Sequence, residues 1–76
     1  MNAIEFFNKV KPYMIKVNDN EYILKYSYAS DWIVDLYKST FGTDMKVTSD
    51  GMTFKLEKEY GRFGKYGRLY VTINKQ

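Results

Sequence analysis

Asp50-Gly51, set between DMKVTS and MTFKLEKEY, constrains the fold more than any other pair in the chain. Asp-Gly is among the strongest two-residue turn signals, because a type I′ turn needs positive φ at both central positions. With those residues central, Val47 faces Phe54 and Met45 faces Leu56, so the turn and the apolar alternation select the same antiparallel register. The same register sets Lys46 opposite Lys55 on the other face.

The preceding segments have the same grammar. YMIKV, NDNE and YILKY read as an earlier hairpin with Asp19-Asn20 at the centre of a primed turn. That register pairs Val17 with Tyr22, Ile15 with Leu24 and Tyr13 with Tyr26, all on one face. Ahead of it, Asn2 followed by Glu5 is a capping-box start. Ile4, Phe7 and Val10 or Lys11 then fall at helical spacing, and Pro12 closes the element. From Ser27 to Gly42 a second helix is expected, capped by Ser30 or Ser27, with Asp31 in its first turn and Gly42 as its stop. Its apolar stripe is Ala29, Ile33, Leu36, Tyr37 and Phe41, with Trp32 beside it as a core residue or the anchor of helix to sheet. A last strand, RLYVTIN, puts Leu69, Val71 and Ile73 on one side.

The element order α-β-β-α-β-β-β predicts an α+β fold of two layers, an antiparallel five-stranded sheet with two helices on one face and water on the other. Seventy-six residues provide for one domain, 1–76, with no second core. A chain this size buries only about 60% of its unfolded surface. Eight Tyr, five Phe and one Trp supply the large side chains such a core needs.

The chain has no Cys and no His. Thiolate or imidazole zinc sites, Cys/His and Ser/His nucleophiles, and disulfide frameworks are therefore outside its chemistry. Asp31 and Asp35, one helical turn apart, read as helix solvation rather than as a cation site or an acid-base pair. Gly61, Gly64 and Gly67 lack the order of a phosphate-binding loop. No enzyme activity and no cofactor is expected. No apolar run of membrane-spanning length occurs, and Glu5 and Asn8 interrupt any signal-peptide core, so the expectation is a free-standing cytoplasmic protein that does not engage a membrane.

Charge is unevenly placed. Five lysines and five acids cancel over residues 1–43, whereas Arg62, Lys65, Arg68 and Lys75 follow Tyr60 with no acid among them. Most of that field belongs to YGRFGKYGR, residues 60–68, which repeats aromatic, glycine, cation three times. A strand alternates every two residues, so a period of three cannot align these aromatics on one side of a sheet; a projecting loop is expected. Arg62, Lys65 and Arg68 can meet phosphates or carboxylates, while Tyr60, Phe63 and Tyr66 supply flat faces for a base or a protein pocket. The competing reading is a long hairpin connection whose glycines serve the turn and whose aromatics fold back on the core. On the water-facing side of the sheet, Lys16, Lys25, Lys46, Lys55, Arg68 and Tyr70 extend the basic surface. Glu57 and Glu59 also point outward, so the lysines can equally be read as keeping the sheet soluble.

Partner-binding residues are therefore expected at Tyr60, Arg62, Phe63, Lys65, Tyr66, Arg68, Lys46, Lys55 and Tyr70. They suit a small non-catalytic protein that occupies a surface on a larger protein or nucleoprotein that handles nucleic acid. By analogy of size and composition alone, this extends to an inhibitor of phage or mobile-element type, such as one that blocks a CRISPR effector. Two alternatives use the same features. One is direct DNA or RNA binding by the basic glycine-aromatic loop. The other is a self-associating regulator, monomer or homodimer, that pairs through the strand ending in Asn74.

Overall fold

A computed structural model describes residues 1–58 and 66–74. The order is α1 (Ala3–Val10), a 3₁₀ turn (Lys11–Tyr13), β1 (Met14–Asn18), β2 (Glu21–Leu24), α2 (Asp31–Phe41), β3 (Lys46–Ser49), β4 (Met52–Leu56) and β5 (Leu69–Ile73). The five strands form one antiparallel sheet in the order β1-β2-β5-β4-β3. This is the expected α+β arrangement.

The β3–β4 hairpin folds as its residues dictate. Asp50 and Gly51 take φ of 55° and 74°, and Val47 pairs with Phe54 and Lys46 with Lys55. Leu56 N–H donates to the Met45 carbonyl at 2.8 Å, which extends the ladder one pair beyond the strands.

The first hairpin departs from its expected register. Asn18 closes the turn against Glu21 as read, but Lys16, not Val17, faces Tyr22, so Val17 is an extra residue in β1. Asp50 is the one non-glycine with positive φ among the described residues, so Asp19-Asn20 does not form a primed turn. Asn18 holds it instead, accepting from Asn20 N–H at 2.9 Å through its side chain. An unprimed turn twists against its strands, and a bulge absorbs the mismatch. The consequence is a flip of β1: Met14 pairs with Leu24 and both are buried, while Ile15 and Val17 are exposed. Lys16 therefore shares the helix-side register of Tyr22, a correction to its expected place on the open face.

Helix α1 begins with the full capping box between Asn2 and Glu5. Its buried face is Ala3, Phe6 and Val10; Ile4 is exposed and Phe7 partly so. Both stripes satisfy helical spacing, and the aromatic ring decides between them. Phe6 is fully buried, edge-on to Tyr37, Phe41 and Phe54 with centroids 5.8, 5.2 and 5.6 Å away. Such contacts contribute about 0.5–1.5 kcal/mol each beyond area burial. Pro12 does not end the chain's coiling but enters the 3₁₀ turn at an early position, where its missing N–H costs nothing.

Helix α2 is flanked by Ser30 and by Gly42 at φ 76°. Ile33, Val34 and Tyr37 are buried, whereas Trp32 is 44% exposed and meets Tyr13 edge-on at 5.2 Å. The expected core role of Trp32 is thus corrected: it braces the helix start against the 3₁₀ turn from outside. Both helices bury their apolar faces with Leu24, Phe54, Leu56, Leu69 and Val71. These strand residues share one face by register, so among the described residues the opposite face has no helix over it.

Candidate partner-binding face

Strand alternation assembles the uncovered face row by row. One row runs Ile15, Ile23, Tyr70, Lys55, Lys46 across β1-β2-β5-β4-β3. The next runs Glu21, Thr72, Thr53, Thr48. Lys46, Lys55, Tyr70 and the three threonines, with Glu21, line one shallow groove.

Lys46 and Lys55 oppose one another at close range for a geometric reason. Met45 and Leu56 form a hydrogen-bonded pair, and antiparallel pairs alternate, so Lys46/Lys55 is a non-hydrogen-bonded pair with Cα atoms about 4.5 Å apart. Thr48 and Thr53 form the next such pair, and their hydroxyl oxygens are 3.0 Å apart. Asn74 Nδ2 donates to Thr53 Oγ1 at 3.1 Å and fixes this end of the ladder.

At the other end, Glu57 organises three groups. Its N–H donates to the Arg68 carbonyl at 3.0 Å, and its carbonyl accepts from Gly67 N–H at 2.9 Å. Two residues thus oppose one, a bulge that leaves the Arg68 N–H without a ladder partner. Glu57 Oε1 takes that donor at 3.3 Å and also accepts from the Tyr70 hydroxyl at 3.0 Å. Burial, the Glu57 hydrogen bond and the Glu57 charge raise the Tyr70 pKa above its ordinary value, partly offset by Arg68. Tyr70 therefore stays a neutral donor with a fixed ring. Lys55 Nζ lies 5.8 Å from the centre of that ring, a cation–π contact.

Gly67 permits the close approach. A Cβ there would sit 2.9 Å from Glu57 Cβ, well inside contact distance.

Four of the expected residues, Lys46, Lys55, Arg68 and Tyr70, are thus brought to one end of the open sheet. Tyr66 is separated from them: its ring packs against the core, with Lys38 Nζ 4.9 Å from its centroid on the α2 side. Tyr66 folds back on the core, as the competing reading of the stretch has it. Tyr60, Arg62, Phe63 and Lys65 lie outside the described residues. The face also carries residues that sequence reasoning passed over, the threonine ladder and the Ile15–Ile23 pair. The threonines were accessible from the β3–β4 register; the isoleucines were hidden by the bulge at Val17. Self-association through the strand ending in Asn74 meets a topological obstacle, because β5 is the central strand and both its edges are paired.

No family model, no curated protein and no solved structure matches this chain.

Proposed function

We propose that this chain is a non-catalytic binding protein that docks its open sheet face on an acidic surface of a larger protein. The observation that carries the reading is the Lys46/Lys55 pair, held face to face on a surface that neither α1 nor α2 covers. Like charges in that position are destabilising by roughly 0.2–1 kcal/mol. Carboxylates of a partner laid across the pair would turn this cost into binding energy. Tyr70, held by Glu57 and flanked by Lys55, supplies a rigid aromatic anchor, and the threonines supply hydroxyls along the groove.

A protein partner suits this surface better than a nucleic acid. Glu21 and Glu57 share the face with the cations, and Tyr70 is the one aromatic ring that the strand registers place on it. A polyanion calls for an unbroken cationic track and several stacking platforms. From the charge and aromatic content of the sequence alone, Tyr60, Arg62, Phe63 and Lys65 are further candidates for contact with that partner. That the partner handles nucleic acid, and is blocked by occupancy, rests on the size and composition of the chain.

The test pairs affinity capture from the native host with a Lys46→Ala, Lys55→Ala, Arg68→Ala variant of intact fold. The expected result is a captured protein that is lost with the variant and released by salt. Capture that survives the triple substitution would sink the proposal. Steeply salt-dependent binding of oligonucleotides, lost in the same variant, would replace it with direct nucleic-acid binding.

A further inference from the structure

Among the described residues, the edge strands of the sheet are β1 and β3, and they differ in kind. β3 presents Lys46 beside Lys55, so a second copy meeting that edge would add cations to cations. β1 presents apolar side chains to water: Ile15 is 46% exposed, Val17 54%, and Tyr13 just before it 43%. We propose that two copies of this chain pair antiparallel through β1, related by a two-fold axis at Ile15.

The main-chain geometry selects that axis. Lys25 N–H donates to the Tyr13 carbonyl at 2.9 Å, so Tyr13/Lys25 is a hydrogen-bonded pair. By alternation Ile15/Ile23 is one as well. The Lys16 N–H and C=O and the Met14 C=O then point away from β2, where no strand lies among the described residues, while the Met14 N–H donates to the Lys11 carbonyl. With the axis at Ile15, the Lys16 N–H of each copy donates to the Met14 carbonyl of the other. Ile15 meets Ile15 in a non-hydrogen-bonded pair, the closer side-chain arrangement.

Side chains agree with this register and not with its neighbours. An axis at Lys16 sets lysine against lysine. An axis at Met14 sets Lys16 against Pro12, which has no N–H to give. With the axis at Ile15, the exposed Ile15 side chains of the two copies cover one another and Val17 extends the apolar contact at each end, beside the backbone of Tyr13, whose ring stays against Trp32. The cationic ends are kept apart. Seven strand spacings, about 34 Å, separate Lys55 from its counterpart, several screening lengths at physiological salt.

Sedimentation equilibrium of the full chain from about 1 µM to about 1 mM tests the proposal, since dimers at these concentrations correspond to ordinary association strengths. The expected result is a concentration-dependent rise to twice the 9.0 kDa of one chain. Ile15→Lys and Ile15→Glu alone should each weaken association at least tenfold, and an equimolar mixture should restore it, because only a self-facing position converts repulsion to attraction on mixing. Because the chain has no Cys, an Ile15→Cys variant gives an independent reading. Under mild oxidation it should form a linked dimer faster than Thr48→Cys on β3, since a non-hydrogen-bonded pair brings Cα atoms into disulfide range. A 9.0 kDa mass at every concentration overturns the proposal, whatever else binds the edge. Failure of the mixture to recover, or equal cross-linking at the two positions, overturns the register.

Discussion

Lys46→Glu should stabilise the fold while weakening partner binding. Lys46 is exposed on an edge strand and faces Lys55 across a non-hydrogen-bonded pair, so the substitution replaces a close repulsion with a close attraction and disturbs no packing. Each such cross-strand contribution is about 0.2–1 kcal/mol. Solvent screening keeps exposed pairs near the lower part of that range, so the two changes together should amount to about 0.5–1 kcal/mol. For a domain of this length, 1 kcal/mol moves Tm by about 4–8 °C, and the expected rise is about 2–8 °C at low salt. Lys46→Ala removes the repulsion without adding attraction and should fall between the two. In about 0.5 M salt the screening length shortens to roughly 4 Å and the gain should fall by half or more. Thermal unfolding followed by circular dichroism at both salt concentrations measures the stability arm. Titration with the captured partner measures the other, where a loss of tenfold or more, about 1.4 kcal/mol, is expected. An unchanged or lowered Tm at low salt would show that the two ammonium groups do not strain one another. Undiminished binding would show that they meet no carboxylate.

Tyr37 and Gly67 supply two further tests. The Tyr37 hydroxyl donates to the Asp44 carbonyl at 2.7 Å, and burial followed by the Asp44 charge pushes its pKa from 10.0 to about 12. Because the unfolded chain releases this proton first, the contribution is fully present below pH 10 and is lost as pH rises toward 12. Tyr37→Phe should cost about 1–2 kcal/mol at neutral pH, with a difference from the parent chain that shrinks by pH 11. Urea titrations at the two pH values check this, and an equal difference at both would refute it. Gly67→Ala brings a Cβ to 2.9 Å from Glu57 Cβ, an overpacking expected to cost about 1–3 kcal/mol. A urea midpoint equivalent to less than about 0.5 kcal/mol of change would show that the Glu57 end of the ladder yields freely.

Where local chemistry leaves no choice, the chain's fold can be read directly from its residues. Asp50-Gly51 admits one turn geometry, and with it follow the β3–β4 register, the Lys46/Lys55 pair and the threonine ladder. Asn2 with Glu5 likewise announces the start of α1. Legibility ends where two local patterns are equally good and tertiary packing chooses between them. The stripe of α1 is one case, settled by the fit of Phe6 among three rings. The strand order is another: that β5 lies between β2 and β4 follows from pairing over long separations, which no single segment encodes. Of the candidate site, the cations on β3 and β4 followed from alternation. Tyr66 did not, because its contact with Lys38 and the core depends on where α2 lies.

The bulge at Val17 has the widest consequences for the surface. Without the extra residue, the pairing set by the turn would carry on along β1, sending Ile15 and Val17 to the helices and Lys16 to the open face. With it, Lys16 turns to the helix side and Ile15 joins Ile23 on the open side. The open face is thereby divided into an aliphatic half at β1–β2 and a cationic half at β4–β3, with Tyr70 between them. Three to four strand spacings, about 14–19 Å, lie between Ile15 and the lysine pair, beyond the physiological screening length. The two halves should therefore act independently. Ile15→Lys should abolish pairing between copies and leave each monomer's affinity for an acidic partner intact, whereas Lys46→Glu should do the reverse. Sites this far apart without shared contacts are ordinarily additive to within about 0.5 kcal/mol. A larger coupling in the double variant would mean that the sheet transmits strain between its edges, and that the division made by one bulged residue is not a division in energy.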